Sequence, residues 1–327
     1  MKQKIKNTLK FLLKNKIVMQ VFKGKGIIFM LHRISPFEDK LKANENMKVS
    51  KEFLERFIKE AKEANYTFIS MDELYDGIKN NNLINNFICI TIDDGYRDNL
   101  EYGYEVFLKH NVPFCIYIST SLIESTHNMW WFGLEDYLLE NTKFKLNGEV
   151  FDISSKKSKE EIFLKIRNII IEKSAYGGDI LDSLNIKFDS KKYAKLMLSW
   201  EDIKFLDNEG GRKLCTIGSH THLHGVFKNL NINEIKEDII KAQELLKSHL
   251  GYYPSHFAYP FGSINEVDKN HFKIPEELNF KTATTTRYGP IYKIHKNYMH
   301  SLPRIMLSEN FVLESASCIR RKLIDLS

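Results

Sequence analysis

The chain has 327 residues, of which 43% are hydrophobic and 28% charged. This length suits one large α/β barrel or two smaller domains. The 22 Phe and 15 Tyr residues can build a substantial apolar core, which excludes disorder as the main state. No run of about 18 apolar residues occurs, which excludes a transmembrane helix. The four Cys residues form no CxxC pair, so we expect buried free thiols rather than disulfides or a thiolate zinc site.

The net charge of +6 is concentrated at the N-terminus. Residues 1–25 hold eight lysines and no acid, which leaves 40 Lys and Arg against 42 Asp and Glu in the rest of the chain. If this basic arm is helical, Ile5 and Leu9 share one face and Lys6 and Lys10 another. Either the arm only keeps the chain soluble, or it contacts anionic lipid headgroups at a membrane surface. The body has no basic patch with interleaved aromatics, so no nucleic-acid partner is predicted.

The arm does not resemble a secretory signal. Lys14 and Lys16 interrupt its apolar runs at 11–13 and 17–19, so no continuous apolar core of about 7–15 residues forms. We therefore expect a cytoplasmic protein, which lies peripherally at the inner face of the membrane if the arm contacts lipid.

Short apolar runs alternate with helix-like stretches through residues 26–327. Continuous apolar strands between helices are typical of a parallel sheet that is covered on both faces. About seven such units predict a distorted (β/α) barrel, open or closed. Helical spacing predicts helices at 51–65 and 100–110, and a helical insertion at 135–200. The predicted strands are 26–32, 87–92, 113–118, 214–219, 256–260, 281–285 and 302–306.

Two adjacent carboxylates, Asp93 and Asp94, directly follow the predicted strand at 87–92. Buried carboxylates need partners or a cation, because burying an unpaired charge is costly. Gly95 permits a tight turn after them. Adjacent side chains diverge, so one carboxylate can bind a metal while the other faces a water molecule. The alternative is an Asx turn that caps a helix.

Three histidines follow the predicted strand at 214–219. If a helical turn begins there, His220 and His224 share a face and His222 points elsewhere. Two imidazoles and a carboxylate are a common ligand set for Zn²⁺ or a similar divalent ion. The alternative is a set of surface or capping histidines.

A single histidine, His32, ends the first predicted strand. Such a residue is usually structural, but beside the other two clusters it becomes a candidate acid or base. Reactive groups of an α/β barrel gather at the carboxyl ends of its strands. The three clusters together predict metal-assisted hydrolysis, in which a divalent ion activates water and polarises the carbonyl that is attacked.

The order of these motifs resembles the polysaccharide deacetylases, the NodB-homology family of carbohydrate esterases, and most closely the poly-N-acetylglucosamine deacetylase branch. The resemblance runs from about residue 26 to 307. It rests on the sequence Asp93-Asp94-Gly95, the later His220-Thr221 pair with His224, Trp200-Glu201-Asp202, the segment 257–262 (FAYPFG) and the segment 302–305 (LPRI).

The resemblance implies a divalent metal ion, with zinc as the expected ion, and hydrolysis of an acetyl group on a sugar. Asp93 would be the general base, and Asp94, His220 and His224 the metal ligands. His32 would be the acid, since Met-Leu-His-Arg matches the placement of that residue in the poly-N-acetylglucosamine branch.

The third family motif departs from the usual pattern. Ala258 occupies the position of an arginine that steadies the base, and Arg304 or Arg33 could replace it. Three residues are predicted to bind substrate: Tyr259 and Trp130, with Trp131 beside it as a further ring, could stack on sugars, and Arg304 is the third.

The predicted function is a metal-dependent hydrolase that removes an N-linked acetyl group from a sugar in a bacterial glycan or in its lipid- or nucleotide-linked precursor. Two alternatives remain: a deformylase or other small-amide deacylase, and a catalytically inactive glycan-binding protein.

Overall fold

A computed structural model describes residues 24–127, 129–208 and 214–311. Residues 1–23 of the basic arm, and with them the predicted membrane contact, lie outside the described residues. Within the described ranges, no helix is both long enough and apolar enough to cross a bilayer.

The core of the fold is a parallel sheet. Its strands follow the order β11 (Thr282–Thr284), β10 (His256–Ala258), β9 (Cys215–Ser219), β6 (Phe114–Ile118), β5 (Phe87–Ile92), β1 (Gly26–Leu31) and β12 (Ile305–Met306), and β4 (Thr67–Phe68) pairs with the amino end of β5. All seven strands of this path were predicted, although several are shorter than expected. Only β4 was not. The remaining strands are β2 Arg33–Ile34, β3 Lys48–Val49, β7 Lys143–Leu146 and β8 Glu149–Asp152.

The two ends of this sheet are linked by the chain just before β12. The Leu302 N–H donates to the carbonyl of Ala283 at 2.9 Å, and the Thr285 N–H donates to the carbonyl of Leu302 at 2.8 Å. β12 then pairs with β1. The predicted distorted barrel is therefore confirmed.

Helices cover the outer surface of the sheet. The predicted helix at 51–65 is observed as Lys51–Glu63, where the Ser50 side chain caps the helix by accepting from the Phe53 N–H at 3.2 Å. The other helices are Lys42–Glu45, Met71–Lys79, Tyr104–His110 after a π-helical turn at Asn99–Gly103, Thr120–Ile123, Trp130–Glu140, Lys156–Lys173, Gly178–Ser183, Ser190–Tyr193, Trp200–Asn208, Ile232–Leu250 and Lys273–Glu277, with 3₁₀ turns at Ala194–Leu196, Phe227–Asn229 and Lys293–Asn297.

Residues 130–197, here called the insertion, lie between β6 and β9. They have their own apolar core, in which Trp130, Phe144 and Phe163 are buried together. The sequence predicted a helical insertion at 135–200, and the observed segment contains an antiparallel hairpin of β7 and β8 besides its helices. Alternating exposed and buried residues in β7 and the Asn147-Gly148 turn, with φ of 52° and 87°, explain the hairpin.

The strand register brings the predicted motifs to one edge of the barrel. Leu31 of β1 lies opposite Ile92 of β5, and Ile118 of β6 lies opposite Ser219 of β9. The residues that follow these strands, which include His32, Asp93 and His220, therefore meet at the carboxyl edge of the sheet, where barrel enzymes place their active sites.

Candidate metal centre and active-site cavity

A tight turn after β5 separates the two aspartates. The Asp93 N–H continues the sheet by donating to the carbonyl of Leu31 at 3.0 Å. Asp94 and Gly95 then adopt left-handed backbone angles, with φ of 76° and 89°. A Cβ at position 95 would also lie 3.0 Å from the Ile118 side chain, so glycine fits both the angle and the space. The turn gives the two carboxylates different partners.

The histidines are brought together by a loop rather than by the predicted helical turn. Residues 220–226 are not helical, and Thr221 and His224 have positive φ angles of 65° and 52°. The loop is held by the Leu223 N–H, which donates to Asp238 at 2.9 Å, and by the His224 N–H, which donates to the Thr221 hydroxyl at 2.9 Å. A helix would leave these local side-chain bonds unmade, which explains why the helical expectation is wrong.

Asp94, His220 and His224 form a cluster whose ligand atoms all lie within 4.8 Å of one another. The Asp94 Oδ1 atom lies 3.4 Å from His220 Nε2 and 3.2 Å from His224 Nε2. The Nδ1 atom of His220 donates to the carbonyl of Ala258 at 2.8 Å, which leaves Nε2 as the free lone pair. His222 is not part of the cluster, because its Nδ1 atom bonds the Thr120 hydroxyl at 2.7 Å.

A divalent cation fits this donor set. Asp94 Oδ1 and His224 Nδ1 are buried without a hydrogen bond to any described residue. Asp93 and Asp94 are both buried, and the buried Arg304 guanidinium pairs with Asp93 alone. The charge of Asp94 therefore remains uncompensated unless a histidine is protonated or a cation binds. Burial alone would raise the pKa of Asp94, but the neighbouring His220 and His224 side chains hold that pKa well below its usual range.

Arg304 pairs with Asp93 through two parallel hydrogen bonds. Its Nη1 and Nη2 atoms donate to Oδ1 and Oδ2, both at 2.7 Å, and Nη1 also donates to the Thr91 hydroxyl at 3.1 Å. Burial alone would raise the pKa of Asp93, but the charge of Arg304 lowers it below the ordinary value. Of the two candidates for the missing third-motif arginine, Arg304 is the one that contacts Asp93, whereas Arg33 pairs with Asp98. Its assignment as a substrate-binding residue is corrected, because the side chain is 1% exposed and fully committed to protein partners.

His32 lines the same cavity as the two aspartates. Its carbonyl accepts a hydrogen bond from Asn99 Nδ2 at 3.0 Å, and its Nδ1 atom is buried without a partner among the described residues. Burial lowers the pKa of His32, although the charges of Asp94 and Asp93 oppose this effect. The ring therefore lies in the cavity of the carboxylates, and its lowered pKa favours the neutral imidazole.

The cavity around these groups has a volume of about 340 Å³. The acids and histidines that line the cavity come from the barrel. The insertion contributes a wall of Trp130, Trp131, Phe132, Phe163, Leu164 and Arg167. Trp131 is only partly buried, and its ring centroid lies 5.6 Å from that of His224. Trp130 also lines the cavity, as predicted for a substrate-binding residue, but most of its surface packs into the core of the insertion.

Tyr259 does not line the cavity, which corrects its predicted role in binding sugar. It is fully buried in a separate cluster, edge-on to Phe227 at 5.7 Å and to Phe257 at 5.1 Å. Its hydroxyl donates to the carbonyl of His300 at 2.9 Å. The side chain is a core residue whose polar end is satisfied inside the protein.

Sequence reasoning assigned no role to Tyr96, and it considered Arg33 only as a partner for the base. The Tyr96 hydroxyl accepts a hydrogen bond from Trp131 Nε1 at 3.1 Å, so its own proton remains available for a ligand. Arg33 pairs with Asp98 at 2.7 Å and lies over the Tyr96 ring at 5.1 Å. Tyr96 directly follows Gly95 and Arg33 directly follows His32, and this adjacency to the motifs could have indicated that both residues line the cavity.

The chain thus combines a (β/α) barrel with a buried Asp/His/His cluster and an arginine-held aspartate at the carboxyl edge. Residues 185–283 match the family model described as polysaccharide deacetylase. This range contains His220 and His224, whereas Asp93 and Asp94 lie before it. The match confirms the predicted resemblance to that family over this segment.

A curated relative and solved structures show the same similarity. The peptidoglycan-N-acetylglucosamine deacetylase of Bacillus cereus is 36% identical over 78 residues, which are 24% of this chain and 26% of that protein. The aligned segment therefore spans about a quarter of the curated relative. The Streptococcus pyogenes deacetylase PplD, solved with acetate, is similar over 90% of this chain and 96% of its own, with a TM-score of 0.60 and 17% identity.

IcaB from Ammonifex degensii is similar over 93% of this chain and 98% of its own, with a TM-score of 0.56 and 17% identity. At 17% identity, these two similarities establish the fold alone. The deacetylase activity is stated for PplD and is not transferred to this chain by the shared fold.

Proposed function

We propose that the protein is a metal-dependent hydrolase that removes an N-linked acetyl group from a sugar in a bacterial glycan or in its lipid- or nucleotide-linked precursor. One observation carries the proposal: Asp93 is held by Arg304 in the same cavity as the cluster of Asp94, His220 and His224. An isolated ion pair would stabilise the fold only, whereas this one fixes a carboxylate beside a candidate metal centre.

Asp93 is suited to accept a proton from the attacking water. Its lowered pKa keeps it ionised at neutral pH. Arg304 takes one lone pair of each carboxylate oxygen, and the second lone pair of each oxygen remains for a water proton. The bidentate contact also prevents the carboxylate from rotating, so the base is preorganised for the reaction.

Asp94, His220 and His224 would hold the metal ion, and two imidazoles with one carboxylate favour zinc among the common divalent ions. A bound ion of this kind supplies Lewis acidity to the carbonyl and acidity to the attacking water. The Ala258 carbonyl orients His220 for this role.

His32 is the proposed proton donor to the leaving amine. An amine leaves poorly unless its nitrogen is protonated, and a positioned imidazole supplies that proton. The equivalent placement of His32 and Asp93 on neighbouring strands puts donor and base at the same edge of the sheet. The aromatic wall of the insertion would cover the apolar face of the sugar ring.

An inactive glycan-binding protein was considered because Ala258 stands where the third family motif usually has an arginine. Arg304 supplies an arginine contact to Asp93 from another part of the chain, which removes this reason. A deformylase would use the same groups, and the products distinguish it from a deacetylase.

The direct experiment is to incubate the zinc-loaded protein with N-acetylglucosamine oligosaccharides and to measure acetate and free amine. We expect both to form in equal amounts, with no product from Asp93→Asn. Release of formate from N-formyl substrates without acetate would favour the deformylase. Sugar binding with neither product would contradict the hydrolase.

A further inference from the structure

The active-site cavity opens toward a second, more polar cavity of about 730 Å³. Arg167, Phe261 and Thr286 line both, so the two cavities meet along these residues. The second cavity lies between the insertion helix Lys156–Lys173 and the loop at residues 261–266. Its volume is within the range of small-molecule sites, so it can hold a group attached to a sugar in the first cavity.

Arg167 is the cationic residue that lines both cavities. None of the described residues forms a hydrogen bond or ion pair with its guanidinium, although the side chain is partly buried. Burial lowers the pKa of Arg167 despite the opposing charge of Glu266. The Glu266 carboxylate accepts a hydrogen bond from the Ser263 hydroxyl. A partly desolvated guanidinium without a paired carboxylate is unfavourable unless a ligand supplies the anion.

Lys228 is a second cationic residue that lines the second cavity. Lys228 is exposed, and its amino group pairs with no carboxylate among the described residues. Glu172 and Glu266 are the acids of this cavity. The guanidinium of Arg167 is the cation shared with the active site, and its planar fork suits bidentate contact with a carboxylate or phosphate.

We propose that the second cavity is a subsite for an anionic group, a carboxylate or a phosphate, on the part of the substrate that adjoins the N-acetylated sugar, with Arg167 as the residue that binds it. This subsite rests on the proposed function, because it assumes that the acetylated sugar occupies the first cavity. It narrows the substrate class to N-acetylated sugars that carry a negative charge next to the reacting unit.

The test measures binding separately from turnover. Three probes share an N-acetylglucosamine unit: neutral N,N′-diacetylchitobiose, the N-acetylglucosamine–N-acetylmuramic acid disaccharide with its carboxylate, and UDP-N-acetylglucosamine with its diphosphate. The zinc-loaded wild type, Arg167→Gln and the control Lys157→Gln are titrated by calorimetry. Lys157 lies on the same helix with its side chain 87% exposed.

We expect one anionic probe to bind the wild type about 10-fold to 100-fold more tightly than the neutral probe, which is the range of one charge-assisted contact. The Arg167→Gln protein should lose this difference while its affinity for the neutral probe stays the same, and Lys157→Gln should behave as the wild type. The probe that shows the effect identifies the anion as carboxylate or diphosphate.

Equal affinity for all three probes in the wild type, or equal weakening of neutral and anionic probes in Arg167→Gln, would overturn the subsite. Acetate release from the same samples reports on the proposed function separately. A preserved charge preference without acetate release would contradict only the hydrolase, and acetate release without a charge preference would contradict only the subsite.

Discussion

The barrel and the insertion line one cavity but place different groups in it. The barrel contributes ionisable groups at fixed distances, such as the Arg304–Asp93 pair and the cluster around Asp94. The insertion contributes aromatic rings and Arg167, with which no described residue forms an ion pair. Changes in the barrel should therefore remove the chemistry, whereas changes in the insertion should alter which sugar binds.

The largest effect should come from Asp93→Asn. An amide cannot accept the water proton, so we expect kcat to fall by about 10⁴-fold, the upper range for loss of a general base. Metal content measured on the folded protein should not change, because Asp93 is not in the ligand cluster. Near-normal turnover would exclude Asp93 as the base.

His32→Gln should be the next most severe change. We expect kcat for the amide to fall by about 10³-fold, because the leaving amine then lacks its proton donor. An acetate ester with a phenolic leaving group needs no such proton, so its hydrolysis should fall far less. Comparable losses on amide and ester would show that His32 is not the acid.

Arg304→Lys tests a positioning role within the barrel. Lysine keeps the charge but cannot form two parallel hydrogen bonds with Asp93. We expect kcat to fall by about 10–100-fold with KM unchanged, and urea unfolding to show a loss of a few kcal/mol. Arg56→Lys is the control, because that side chain is 60% exposed and should change neither value. A rise in KM alone would instead indicate substrate contact.

Trp131→Ala tests whether the insertion contributes to sugar binding rather than to catalysis. The ring lines the cavity and is only partly buried, so its loss should weaken sugar binding more than folding. We expect KM to rise by about 3–10-fold, the range of one aromatic contact, with a smaller change in kcat. A large loss of kcat at unchanged KM would place catalytic chemistry on the insertion and break the comparison.

Deletion of residues 1–23 should have the smallest effect on turnover. The deletion removes seven of the eight lysines that account for the positive charge of the chain, and the described residues alone supply the acids, histidines and aromatic rings of the cavity. Hydrolysis of a small substrate should therefore be unchanged, while cosedimentation with vesicles rich in anionic lipid should decrease. If the deletion abolished hydrolysis, the arm would be part of the catalytic unit.

The barrel could be read from the sequence because its strands are buried on both faces. Runs such as Phe87–Ile92 are continuously apolar, and the polar motifs stand directly after them. Asp94, His220 and His224 were identified by this rule. The sequence left both Arg304 and Arg33 open as the partner of Asp93. It could not decide between them, because 211 residues separate Arg304 from Asp93 and the fold brings them together.

The insertion could not be read in the same way. Its hairpin was missed although the Asn147-Gly148 turn marks it, because the surrounding Lys- and Glu-rich sequence suggests helix. Tyr259 shows the related limit in the barrel, since an aromatic residue in a motif fits a sugar site and a core equally well. Whether Arg167 has a partner depends on tertiary contacts that no local pattern encodes.

The most direct test of the account is the metal content of the purified protein after loading with zinc and exhaustive dialysis. We compare the wild type with His220→Ala and with the control His222→Asn, whose side chain bonds Thr120 instead of the cluster. The account predicts about one equivalent of zinc in the wild type and in the control, and its loss in His220→Ala. A wild type that retains no divalent ion, or a His220→Ala variant that retains it fully, would contradict the metal-dependent hydrolase.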